Sequence, residues 1–110
     1  MPSFLYQVAY TSESMAAFVQ KPQDRTEVVR KTVENLGGSL HGLWLSFGEY
    51  DVVALVEMPD NTSAAAFALA AGAGGACKAV KTTPLLSPAE GMAAMKKAGG
   101  SGYKGLSTTK

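Results

Sequence analysis

Residues 40–58 read LHGLWLSFGEYDVVALVEM, and this stretch decides the fold. Leu40, Gly42, Trp44 and Ser46 alternate with His41, Leu43, Leu45 and Phe47. The turn residues Gly48-Glu49-Tyr50 follow, and Asp51 opens an apolar run from Val52 to Val56. Two β-favouring runs joined through a glycine turn read as a hairpin. Both faces of that hairpin are largely apolar, so both require cover.

Upstream of the hairpin, Val28, Val29, Val33 and Leu36 recur near helical spacing between Asp24 and Leu36. Arg25, Glu27, Arg30, Lys31 and Glu34 lie mostly on the other side, and Gly37-Gly38 ends the helix. Phe4, Tyr6, Val8 and Tyr10 share one side of a first strand over 4–10. Between them a short helical stretch through Met15, Ala16, Phe18 and Val19 is capped by Ser12 or Ser14, and Pro22 either stops it or, the preferred reading, starts the next helix as its first residue. Downstream, Pro59-Asp60-Asn61-Thr62 supplies turn and capping chemistry for an alanine-rich helix over 64–71 bearing Phe67 and Leu69. Gly72, Gly74 and Gly75 terminate it, and residues 76–83 read as a last strand before Pro84. Ser87-Pro88-Ala89-Glu90 is a capping box for a third helix over 89–98 with Met92 and Met95.

The resulting β-α-β-β-α-β order predicts an α+β, ferredoxin-like domain over 1–98, with an antiparallel sheet, both main helices on one sheet face and an extra C-terminal helix. Residues 99–110 read as a flexible basic tail. One helix layer covers one sheet face only. The other face is expected to meet a second subunit.

Composition narrows the function classes. At 110 residues and 11.4 kDa, with 46% hydrophobic and 17% charged residues, the chain has the size of one folded domain. A net charge of +1 excludes a strongly basic nucleic-acid binder. Its distribution is uneven: residues 1–90 carry a net −3 and the remainder +4. One cysteine and one histidine exclude an intrachain disulfide and a closed Cys/His zinc site, so a reducing cytoplasm is the expected location. The first cation is Lys21, so no secretory signal is expected. The longest uncharged run, 61–77, is too short and glycine-interrupted to span a membrane.

The segment Gly48-Glu49-Tyr50-Asp51 running into Val52–Glu57, then Met58-Pro59-Asp60 and the alanine-rich helix, resembles the GYD-domain family, named for its Gly-x-Tyr-Asp signature. The resemblance spans roughly residues 2–97. It implies a dimeric α/β barrel, two ferredoxin-like sheets packed face to face, in a family without an assigned biochemical activity. The segment is also similar to the ligand-sensing domain of leucine-responsive transcription regulators. No helix-turn-helix precedes it here, so nucleic acid is not an expected partner.

Candidate chemistry falls on few residues. His41 has the one side chain whose ordinary pKa lies near neutrality, and it reads either as a general base or as a sheet-margin histidine with an ordinary partner. Hairpin register sets the face it occupies. Asp51 either bonds turn amides or presents a carboxylate to the barrel, and Tyr50 either covers the barrel mouth or lines a pocket. Tyr6, Trp44 and Tyr50 supply aromatic walls for a small apolar or aromatic ligand, or else fill a dimer core. Asp51 and Glu57 lie about 20 Å apart along a strand, too far for a carboxylate pair. Cys77 beside Lys78 reads as a reactive thiol or a small buried hydrophobe. The glycines at 72–75 follow a helix and precede a strand, the reverse of a nucleotide fingerprint.

No cofactor or metal is therefore expected. The sequence predicts a homodimer, or higher homo-oligomer, that binds or senses a small ligand in or near the barrel. The alternative is a cofactor-independent monooxygenase or isomerase of the same architecture, with His41 as base and Trp44 and Tyr50 holding an aromatic substrate. A third reading is an assembly subunit that forms rings or shells.

Overall fold

A computed structural model describes residues 1–106; positions 107–110 of the expected tail lie outside the described residues. The chain forms β1 (Ser3–Tyr10), α1 (Ser12–Gln20), α2 (Thr26–Asn35), β2 (Ser39–Leu45), β3 (Val52–Glu57), α3 (Asn61–Ala73), β4 (Cys77–Leu85) and α4 (Pro88–Gly99). The sheet order is β2-β3-β1-β4, with every neighbouring pair antiparallel. This is the expected α+β arrangement, with β3 inserted between the parallel strands β1 and β2.

Local hydrogen bonds set the element boundaries. Thr11, rather than Ser12 or Ser14, caps α1: its hydroxyl oxygen accepts the Ser14 N–H at 3.1 Å. Asp24 Oδ1 accepts both the N–H and the hydroxyl of Thr26, at 2.9 and 2.6 Å, which holds Pro22–Arg25 outside the helix and starts α2 later than the apolar spacing indicates. Asp60 Oδ1 accepts the Ser63 N–H at 2.8 Å and opens α3. These bonds hold the Asp24 and Asp60 carboxyls below the ordinary aspartate range. Pro84 lies within β4, opposite Phe4, rather than after it. A proline is tolerated there because β4 is an edge strand. Ser87 and Glu90 form the expected capping box at α4.

The strict alternation expected along β2 is broken. Leu40 pairs with Val56, but Gly42 pairs with Leu55, leaving His41 as the extra residue of a bulge. Leu40, Leu43 and Leu45 therefore share the face of Val56, Ala54 and Val52, whereas Gly42 and Trp44 share the face of Leu55 and Val53. A β-carbon on Gly42 would collide with the Trp44 ring, so the indole lies over the glycine on that second face.

The first face carries the core. Tyr6, Val33, Val56 and Met58 are fully buried, joined by Phe4, Ala54, Ala64 and Phe67. Tyr6 donates its hydroxyl to the Ala64 carbonyl at 2.6 Å and sets its ring 4.7 Å from that of Phe67, tying β1 to α3. Alanine at 64 lets the α3 backbone come that close. At the other helix, Gly37 adopts φ +89° to end α2. A side chain on the next residue, Gly38, would strike the Glu57 carbonyl and Met58 Sδ, so the turn onto β2 requires glycine.

No helix among the described residues is long and apolar enough to cross a membrane. The second sheet face, with Leu5, Val53, Leu55 and Trp44, has no helix over it among the described residues, and Trp44 remains 56% exposed.

Candidate functional site

The Tyr-Asp signature lies where β1 and β3 part. Their pairing ends at Val8 and Val52. Just beyond, the Asp51 N–H donates to the Val8 carbonyl at 2.7 Å, and the Tyr10 N–H donates to Asp51 Oδ2 at 2.8 Å. Ser46 closes the hairpin end by donating its N–H to the Asp51 carbonyl and its hydroxyl to the Tyr50 carbonyl. Asp51 thus has a structural task, fastening the end of β1 rather than the amides of its own turn.

At this end of the sheet α1 and the segment 22–26 stand over the strands and leave a cleft of about 940 Å³. Its walls are mostly apolar: Met15, Phe18 and Val19 from α1, Val29 from α2, and Leu43, Leu45 and Val52 from the sheet. A second space of about 490 Å³ adjoins it, sharing Tyr10, Phe18, Arg25 and Val29 and reaching Tyr6, Phe67 and Cys77 beneath α3. These volumes lie in the range of small-molecule sites. Phe18 packs on Tyr10 in an edge-on contact, with ring centroids 4.9 Å apart, and holds α1 over the cleft.

Tyr10, Arg25, Asp51 and Cys77 are the principal titratable groups of this space. Burial raises the Tyr10 pKa, Cys77 and Asp51 add to the rise, and Arg25 opposes it. The phenol therefore stays a hydrogen-bond donor at neutral pH. Burial likewise raises the Cys77 thiol, with Arg25 as the opposing charge; the Lys78 ammonium next in sequence is not a cause. This thiol is protonated and weakly nucleophilic at neutral pH. Asp24 and Asp51 are engaged with Thr26 and Tyr10, and the Arg25 guanidinium makes no hydrogen bond or ion pair among the described residues. No group of three or more His, Cys, Asp or Glu side chains among those residues is placed to hold a metal.

The residues singled out from sequence are divided by the sheet. Asp51 borders the outer cleft and Tyr6 the inner space, while Trp44, Tyr50 and His41 border neither. Tyr6 and Trp44 occupy opposite faces, so they do not form one aromatic wall; the alternation of β1 alone carries no information about which face of β2 it joins. His41 Nε2 lies 3.4 Å from Glu57 Oε2, on the uncovered face with the sheet between it and the cleft. Sequence reasoning missed Arg25 and Tyr10 as site residues. Tyr10 was visible as the last member of the Phe4, Tyr6, Val8 stripe, but Arg25, among the charges of a helix start, carried no distinguishing signal.

The GYD domain pattern matches residues 4–95. No curated protein matches the chain. Among solved structures it is similar to that of FFRP-DM1, at 13% identity over 78% of this chain and 100% of that one, with a TM-score of 0.50. It is similar also to TTHA0845 from Thermus thermophilus, at 14% identity over 79% of this chain and 95% of that one, with a TM-score of 0.52. At these identities the likeness is one of fold.

Proposed function

This chain belongs to the GYD-domain family, whose function is uncharacterised, and we propose that it is a cytoplasmic, homodimeric small-molecule binding module. In this reading the ligand enters the cleft between α1, α2 and the sheet, and the uncovered sheet face meets a second copy. One observation carries the proposal: an apolar cleft bordered by a protonated phenol, Tyr10, and by the Arg25 guanidinium, which is unpaired among the described residues. Apolar walls favour a compact hydrophobic body, and a guanidinium with no protein anion favours a ligand carboxylate. The class is thus small aromatic or aliphatic carboxylates.

Asp51 supports the site by fixing the Tyr10 backbone. His41, paired with Glu57 across the sheet from the cleft, serves the dimer face. The test is calorimetric titration with 1-naphthoate and with its neutral counterpart 1-naphthalenemethanol. Naphthoate should bind one per chain and more tightly than the alcohol. Arg25→Gln should weaken naphthoate about tenfold or more, the worth of one charge-assisted hydrogen bond, and leave the alcohol unchanged. His41→Ala should leave both affinities within a small factor. Failure of both probes to bind, or an Arg25→Gln variant that holds naphthoate as before, overturns the proposal.

A further inference from the structure

The radius of gyration is 17.9 Å and the longest dimension 63 Å, whereas a compact chain of this length has a radius of about 13 Å. Beyond the last strand the chain continues as α4. This twelve-residue helix is well formed, with a capping box at its start, yet has no buried residue and no extensive packing against any other element. Met92 and Met95, three residues apart on one side of it, are 57% and 72% exposed, and Leu85 and Leu86 just before it are exposed as well. An isolated helix of this length is marginal in water, because most helical stability comes from tertiary packing.

We infer that α4 is an exchanged arm, docking on a second copy of this chain. The inference extends the dimer reading above and rests on it. The uncovered sheet face has a footprint of about 400 Å², four strands wide and about six residues long. That is about half of what each partner buries in a stable interface, so sheet stacking alone leaves a shortfall that the arm reduces.

The topology states where the arm arrives. β2 runs parallel to β1 and β4 antiparallel to it. Stacking two copies face to face so that the edge strand β4 adjoins the other copy's edge strand β2 requires a two-fold axis along the strands, which preserves strand direction. The end of β4 then meets the start of β2. On each copy that corner carries Glu34 in the last turn of α2 and Glu57, already beside His41, at the end of β3 next to Ser39. The arm brings Lys96 and Lys97 in its last turn. Neither lysine forms an ion pair among the described residues. Charge thus complements across the predicted contact, an acidic body receiving a basic arm.

Cross-linking between differently marked copies tests this. In chains carrying Cys77→Ser, Ser39→Cys and Met95→Cys variants are mixed and treated with a short bis-maleimide; the pair Phe47→Cys and Met95→Cys, using the far end of the hairpin strand, serves as the control. The 39–95 pair should link into a two-chain species and the 47–95 pair should not. Lys96→Glu with Lys97→Glu should raise the dimer dissociation constant about tenfold, measured by sedimentation. A dimer that gives no 39–95 link, or links 47–95 as readily, overturns the arm while leaving the dimer in place. A chain that sediments as a monomer at every concentration overturns both.

Discussion

Tyr6→Phe isolates one buried hydroxyl. The Tyr6 side chain has no exposed surface, and its O–H donates to the Ala64 carbonyl at 2.6 Å across 58 positions of sequence. Phenylalanine keeps the ring and its contact with Phe67, so cavity formation contributes nothing. The Ala64 carbonyl keeps its own helical bond and is not orphaned. The expected loss at neutral pH is therefore the net worth of one buried hydrogen bond, about 1 kcal/mol, a fall in Tm of roughly 4–8 °C. High pH reverses the ranking. Burial pushes the Tyr6 pKa from 10.0 up to about 12. The unfolded chain therefore releases its proton first, and the folded state binds more protons between these values. Stability from this group is full below pH 10 and declines as pH rises toward 12. At about pH 11 the native protein has lost roughly 1.4 kcal/mol through this group, more than the hydrogen bond contributes. Phenylalanine has no proton to lose, so the two stability curves should cross near that pH. Urea unfolding of both proteins from about pH 7 to about pH 11.5, followed by circular dichroism, measures the difference directly. A variant as stable as the parent at neutral pH, or curves that stay parallel above pH 10, would refute the reasoning.

Gly38→Ala drives a β-carbon into the Glu57 carbonyl and Met58 Sδ, so it should cost about 1–3 kcal/mol in urea unfolding; a neutral result would show that the α2–β2 turn is looser than described. At Gly42 the atoms nearest an added β-carbon belong to the ring of Trp44, a displaceable side chain, so Gly42→Ala should change stability by less than about 1 kcal/mol. It should shift the emission of this single tryptophan, and unchanged fluorescence would contradict the packing of the indole over Gly42. Cys77, its thiol raised by burial, should react with iodoacetamide near neutral pH more slowly than a free thiol. Arg25→Ala should slow it further by removing the charge that favours the thiolate, and an acceleration would reverse the sign assigned to Arg25.

Much of the fold was legible because strong local signals agreed with one another. The Ser87–Glu90 capping box, the Gly37-Gly38 stop and the apolar run after Asp51 each mark a boundary through chemistry confined to a few residues. Errors arose where several residues could make the same local bond, or where one residue shifted strand phase. Thr11 caps α1 in place of either serine, and the delayed start of α2 follows from a carboxylate that captures Thr26. The His41 bulge inverts the expected grouping of Leu40 with Trp44, because one inserted residue changes strand phase. The site was less legible for a different reason. Tyr10, Arg25, Asp51 and Cys77 come from the ends of four different elements, and their proximity is a property of the sheet order rather than of any spacing along the chain.

The bulge and the pleat together make the sheet a partition. Leu43 and Val52 look into the cleft, whereas their immediate neighbours Trp44 and Val53 look away from it. Neighbouring positions in the chain thus meet different surroundings. Substitutions that reshape the cleft can be made on one set of alternate positions without touching the other set. One face can therefore be altered residue by residue while the uncovered face keeps its own character.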